Sequence, residues 1–350
     1  MHLGKFGDMN NFHFVRLIAS LMVLFSHSFH LFSLDIYDPL QTFSKGVFSF
    51  GNIGVYIFLI VSGFLITQSI LRSTSILNFI WRRILRIIPA MWVMVLMSVF
   101  IVGPILSKDS IYIYFTNSNN YDFLKNLILF YPNNFKIPSI FFFNPIGTFN
   151  GCLWTIGYEV FFYLLLVIVF ISKILRFKFL LLIQWLLFIF IQFYLGDKIF
   201  TYSYSSLWLL NLNIEHCFRL FIFFESGVLM FLFKEIFKIR NFNLVLLFYI
   251  LLVIIAFRLS NLTLDLILPV CVIYFAISNS IFSFIEKYGD YSYGIYLYGY
   301  IVQQYIVSLK VGIMNVYLLF IFSTIISFVL AYFSWHLVEK PSLKFKNLIR

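Results

Sequence analysis

Apolar residues run along this chain in long blocks, with little of the alternation that marks a half-buried strand. The blocks are roughly 17 to 25 residues long, the length of an α-helix that crosses the hydrocarbon core of a bilayer. About ten are expected, near residues 12–34, 50–71, 87–104, 151–171, 179–195, 217–233, 242–258, 264–280, 291–309 and 315–336. The pattern predicts an all-α polytopic membrane helical bundle, a single integral-membrane domain over residues 1–350. No short period repeats, which excludes a solenoid. The longest break runs from about 105 to 150 and includes "KDSIYIYFTNSNNYDF". Its Asn, Pro, Gly and Tyr content suits a partly ordered cap, with "DFLKNLILF" as a short interfacial helix.

Composition agrees with the pattern. Hydrophobic residues make up 62% of the chain and charged residues 11%, too little charge for a soluble surface at this length. With the N-terminus placed in the cytoplasm, sixteen of the 25 lysines and arginines fall on the cytoplasmic side. Arg72, Arg82, Arg83, Arg86, Lys173, Lys178 and the group from Lys340 to Arg350 are among them. That bias predicts both termini inside and the 105–150 loop outside. It also explains much of the net charge of +11 without any nucleic-acid partner. The first block carries Arg16 and lacks a small-x-small cleavage site, so it reads as a first span rather than a cleaved signal. Cys152, Cys217 and Cys271 have no metal-ligand spacing and read as apolar core cysteines.

Charge inside hydrocarbon is costly, so ionisable residues within the blocks are the candidates for function. Arg16 and His27 bracket "RLIASLMVLFSH". Eleven residues of helix advance about 16 Å and close nearly whole turns, so both side chains share a face. His30 adds a second imidazole one turn on, but no third and fourth metal ligand follow. In "NFIWRRILRIIPAMW" Arg82, Arg83 and Arg86 cluster at the expected start of the third span, Arg82 and Arg86 one turn apart. Such a cluster can grip phosphates, or simply anchor the helix on the cytoplasmic side. In "GCLWTIGYEVFFY" Glu159 lies about as far inside the fourth span as His27 lies inside the first. Equal depth predicts contact, and a carboxylate beside an imidazole fixes its tautomer. In "GNIGVYIFLIVSGFLI" Gly51, Gly54 and Gly63 permit close helix approach and Ser62 can bridge helices. "YGDYSYGIYLYGYIVQQY" holds tyrosines at belt-like positions and two adjacent amides, Gln303 and Gln304, inside a span.

Taken in order, these segments resemble the integral-membrane acyltransferase 3 family of bacterial carbohydrate O-acyltransferases, over nearly the whole chain. Arg16 and His27 fit its Arg-x10-His signature, and "GVYIFLIVSGFLI" its second-span motif. The arginines before Ile88-Pro89-Ala90, "WTIGYEVFFYL", "YSYGIYLYGY" and "WHLVEKP" look like its other motifs. Many members end a "SYxxYLxH" motif in histidine, where this chain has Tyr298 in the neighbourhood. Some carry a further periplasmic hydrolase-like domain; with the sequence stopping at Arg350, a second activity is expected from a separate partner.

The resemblance implies acetyl transfer from acetyl-CoA to a sugar hydroxyl of a surface glycan or its lipid-linked precursor, in the bacterial inner membrane. On that reading Arg82, Arg83, Arg86 and Arg16 hold the CoA phosphates, His27 is the general base and Glu159 orients it. A covalent acyl-enzyme relay stays open as a variant, although no serine–histidine spacing asks for one. A transporter or flippase of the glycan machinery is the competing class. It calls for paired repeats with broken spans, and no convincing pair is visible. A noncatalytic assembly protein is the third.

Overall fold

The structure, a computed structural model, describes residues 10–131, 134–138, 140–200, 206–207, 212–235, 260–278, 281–309 and 314–349. Helices occupy every expected block within them: α1 (Phe12–Phe32), α2 (Phe50–Arg72), α3 (Ile76–Met97), α4 (Trp154–Ile171), α5 (Lys178–Phe200), α6 (Ile214–Leu232), α7 (Ser260–Ile277), α8 (Ser292–Ser308) and α9 (Val316–Ser334). The block at 242–258 lies outside the described residues. Five stretches are long and apolar enough to cross a membrane: Phe12–Phe32, Phe50–Arg72, Ile76–Leu106, Gly151–Ile171 and Val316–Asn347. Lys178–Tyr194 and Leu264–Ile277 are shorter apolar helices. Strand pairing among the described residues is a two-residue antiparallel ladder, Ser206–Leu207 against Leu212–Asn213.

Helix starts follow local chemistry. Side-chain oxygens of Ser49, Ser75, Asn213 and Asn315 accept from the backbone N–H three residues on, at 2.9 to 3.1 Å. Each satisfies one donor that the first helical turn leaves open.

The third span differs from expectation. Its helix begins at Ile76, eleven residues ahead of the apolar block near 87, and so takes Arg82, Arg83 and Arg86 inside the helix. The arginines look like a membrane border in sequence; in the fold, Arg86 finds its counter-charges within the protein. Beyond Met97 the helix widens into a π turn over Ser98–Val102 and continues to Leu106. Tyr114, from the large loop, donates to the Val99 carbonyl at 2.8 Å and meets a carbonyl that the turn exposes. The stretch expected as an interfacial helix is instead a 3-10 run, Ser118–Leu127, with Phe123 and Asn126 buried. The Asn126 amide bonds to the carbonyls of Phe123 and Asn134, folding the loop back on itself.

α2 packs between α1 and α6, and α8 packs on α1 and α9. Where α2 meets α6 the backbones touch. A Cβ on Gly63 would lie 2.0 Å from the Phe224 carbonyl oxygen, and one on Gly227 would lie 2.1 Å from that of Ile60. Glycine at both positions is what permits this crossing.

The bundle has two distinct ends. At the termini end, Asn11 donates its backbone N–H to the Ala276 carbonyl at 2.8 Å, and the Asn78 amide bonds the Ile349 carbonyl. The opposite, loop end carries residues 103–150, and a stretch of that loop dips into the bundle. Phe149 and Asn150 are fully buried, and the Asn150 amide donates to the Leu297 carbonyl at 2.9 Å.

Candidate functional site

The polar residues form a path along the bundle. At the termini end Arg16 of α1 and Arg86 of α3 converge on one oxygen, Oδ2 of Asp290, at 2.6 and 2.5 Å. Arg86 also reaches Glu339 Oε2 at 3.2 Å, and its guanidinium lies 5.4 Å from the Trp335 ring centroid. Ser292 donates to the second Asp290 oxygen and Ser334 to the second Glu339 oxygen. Both carboxylates are almost wholly buried, so the pairing is what makes their charge tolerable there. Burial alone raises the Asp290 carboxyl; Arg16 and Arg86 outweigh it and hold the group well below the usual carboxylate range.

Arg83 is placed differently. It lines the same cavity as Arg16 and Arg86 but makes no ion pair among the described residues. Arg82 does not line that cavity, contrary to the expectation that it shares a working face with Arg86. The cavity meets the face of Arg83, Arg86 and Ile87, at spacings of three and four; one residue back, Arg82 is turned by about 100°.

Glu159 of α4 sits further along. It accepts from Ser62 Oγ of α2 at 2.7 Å and from the Tyr163 hydroxyl one turn on. His27 lies elsewhere. Its Nδ1 is 3.8 Å from Cys152 Sγ, and its ring meets the edge of Tyr300 with centroids 5.2 Å apart. A Cβ on Gly151 would come within 2.9 Å of the Tyr300 ring, so the glycine leaves room for that ring to seat.

The expected His27–Glu159 contact is therefore not made. His27 is level with the first turn of the fourth span, and Glu159 is seven residues, about 10 Å of helix, deeper. The expectation measured depth from helix ends as if they shared a plane. They do not, because residues 144–150 descend into the bundle before α4 starts.

Two cavities join these groups. The larger, about 910 Å³ with its mouth included, is bordered by His13, Arg16, Arg83, Arg86 and Glu159. The smaller, about 470 Å³, shares Arg16, Glu159 and Tyr293 with it and extends to Thr155 and Tyr296. The Tyr296 hydroxyl bonds Thr155 Oγ1 at 2.5 Å and donates to the Cys152 carbonyl at 3.0 Å. The path thus runs from the arginines to within one hydrogen bond of the residue that touches His27.

Sequence reasoning assigned no role to Asp290, Glu339, Tyr163 or Thr155, and read Tyr296 as a belt tyrosine and Cys152 as core. Asp290 and Glu339 had a usable signal. They flank α8 and α9 in a chain with only 14 acidic residues, and a carboxylate in such surroundings needs a cation.

Fold and site define a helical membrane protein with a charged cavity at its termini end and a smaller cavity that shares Arg16, Glu159 and Tyr293 with it. The chain belongs to the acyltransferase 3 family, whose model, described as an acyltransferase domain, matches residues 9–336. It is 32% identical over 156 residues, 45% of its length, to an O-acetyl transferase of Shigella phage Sf6, covering 44% of that protein. It is 42% identical over 87 residues, 25% of its length, to Nodulation protein 10 of Rhizobium leguminosarum bv. viciae, covering 23% of that protein. The matched stretches thus span less than half of each curated relative. No solved structure matches the chain.

Proposed function

We propose that the protein is a membrane O-acyltransferase that moves an acetyl group from cytoplasmic acetyl-CoA to a hydroxyl of a surface glycan or its lipid-linked precursor. The observation that carries this reading is the cavity that holds Arg16, Arg83, Arg86 and Glu159 and shares part of its wall with a second one reaching Thr155 and Tyr296. Family membership and the likeness to an O-acetyl transferase support the same chemistry.

The termini end is cytoplasmic in this reading, as the basic residues suggest. The CoA phosphates meet Arg83 first, the cavity cation not committed to a carboxylate, while Arg16 and Arg86 shape the wall through Asp290. The pantetheine arm follows the cavity toward Thr155 and Tyr296. His27 removes the proton of the acceptor hydroxyl as it attacks the thioester carbonyl, and the departing thiolate is reprotonated. Glu159 works from the cavity wall, where it holds Ser62 and Tyr163.

The test is reconstitution. Purified protein in proteoliposomes receives labelled acetyl-CoA on one side and lipid-linked glycan on the other. Label transferred to the glycan is the expected result. Glycan that stays unlabelled, with CoA bound, would sink the reading.

A further inference from the structure

Among the described residues, one buried carboxylate differs from the rest. Asp290 is paired with Arg16 and Arg86, Glu339 with Arg86, and Asp265 with Arg219. Asp38 accepts from Ser26 and from the backbone N–H groups of Gln41 and Phe50. Glu225, on α6, is 4% exposed, and its Oε2 meets no hydrogen-bond donor among the described residues. An acid buried in an apolar bundle is costly unless a partner comes to it.

Glu225 also borders a cavity. At about 480 Å³ with its mouth included, it has the size of a small-ligand pocket. It fills the cleft that α4, α5 and α6 form with the turn at Ile174–Arg176. Phe221, Phe224 and Val228 of α6 flank Glu225, and α4 and α5 add leucine and valine side chains. Gln184 of α5 is the other polar residue of the lining, and no lysine, arginine or histidine is among the described residues there. Ile168 of α4 and Leu180 and Ile183 of α5 adjoin lining residues in sequence and are exposed, so the cleft borders the lipid-facing surface. It shares no residue with the cavities around Arg16 and Glu159.

We propose that this cleft is a second binding site, for a lipophilic amine: an apolar chain that carries one primary ammonium group. The ammonium has three donors and no acceptor, and the cleft offers it the Glu225 carboxylate and the Gln184 carbonyl. The carboxylate thereby gains a cation of the kind that arginine supplies to Asp290, Glu339 and Asp265. The chain lies against leucine, valine and phenylalanine, and enters from the bilayer between α4 and α5. A neutral alcohol would offer the carboxyl a hydrogen bond without a counter-charge. A quaternary ammonium would offer charge without a donor. The site stands whether or not the protein transfers acetyl groups.

The test is ligand binding to the full chain in detergent, read by thermal unfolding and native mass spectrometry. The probes are dodecylamine, dodecanol and dodecyltrimethylammonium, which share a chain and differ in the head. The proteins are wild type, Glu225→Gln and Leu165→Trp, the last filling the cleft from α4 with the carboxyl intact. Dodecylamine is expected to bind wild type and raise its unfolding temperature. Glu225→Gln should weaken that binding by about 10–100-fold, the worth of a hydrogen bond to a charged group. Leu165→Trp should block it. The other two probes should bind wild type no better than they bind Glu225→Gln.

Dodecylamine that binds wild type and Glu225→Gln alike, or binds neither, would overturn the proposal. So would undiminished binding to Leu165→Trp, which would put the amine on the outer surface, and this variant decides alone should Glu225→Gln not fold. Dodecanol that matches dodecylamine on wild type would also overturn it, because the head would then be recognised without its charge.

Discussion

Gln303 and Gln304 are neighbours on α8, and their amides tie down different segments of the loop end. Gln303 donates to the Leu24 carbonyl and to Ser28 Oγ of α1, at 2.8 and 2.7 Å. Gln304 donates to the carbonyls of Ile146 and Thr148, at 2.7 and 2.5 Å, on the segment that leads into Cys152. Adjacent helical residues point about 100° apart, so one dipeptide can serve both sides. The contacts of Gln303 flank His27 in sequence, and those of Gln304 precede Cys152. Replacing Gln304 by Leu takes the donor from the Ile146 and Thr148 carbonyls, and replacing Gln303 removes the donor shared by Leu24 and Ser28, at a cost of about 1–3 kcal/mol each. The expected outcome is a lower unfolding temperature and loss of acyl transfer, with CoA binding kept. Wild-type transfer by both variants would show that the amides position nothing of consequence.

Arg83 and Arg82 are expected to separate. Arg83→Gln weakens CoA binding in calorimetric titration, because it removes the uncommitted cavity cation. Arg82→Gln leaves it close to wild type, since Arg82 lies off the lining. Equal loss in the two variants would mean that phosphates bind at the rim and not within the cavity.

Asp290→Asn tests the shared pairing. Two guanidiniums lose their common acceptor, and breaking a buried ion pair typically costs about 3–5 kcal/mol. Because the folded-state value is depressed, this stabilisation is present in full above the ordinary carboxylate range and is lost only as pH falls below it. Asn and wild type should therefore differ fully in unfolding temperature at neutral pH, and the gap should narrow only in strong acid. A gap that closes near neutrality would contradict the pairing.

His27→Ala should retain CoA binding and lose transfer by about 10²–10⁴-fold, the usual worth of a general base. Glu159→Gln should also slow transfer, yet leave the position of the pH–rate profile where it is in wild type. Glu159 bonds Ser62 and Tyr163, not the imidazole. A profile displaced by Glu159→Gln would mean that the two groups do communicate.

Gly63→Ala places a methyl against the Phe224 carbonyl, inside contact distance. Overpacking of this kind costs about 1–3 kcal/mol, and here it must push the backbones of α2 and α6 apart. Thermal unfolding in detergent reads the effect; an unchanged midpoint would mean that the α2–α6 crossing is loose enough to absorb a methyl.

The sequence by itself determined the class of molecule and the approximate place of its helices. Runs of apolar residues of bilayer length are a local property, and Ser or Asn caps mark their starts without reference to anything distant. It also flagged Arg16, His27, Glu159 and the arginine cluster, because a charge in an apolar run is conspicuous before any fold is known. Only the tertiary structure decided which of these meet. His27 found Cys152 and not Glu159, since the depth of α4 is set by residues 144–150 held on α8, a long-range relation that no helix-end count contains. Arg16 and Arg86 turned out to share Asp290, while Arg83 lines the cavity with no ion pair among the described residues. α3 likewise begins ahead of its apolar block and carries the arginines within the helix, where Arg86 meets Asp290 and Glu339.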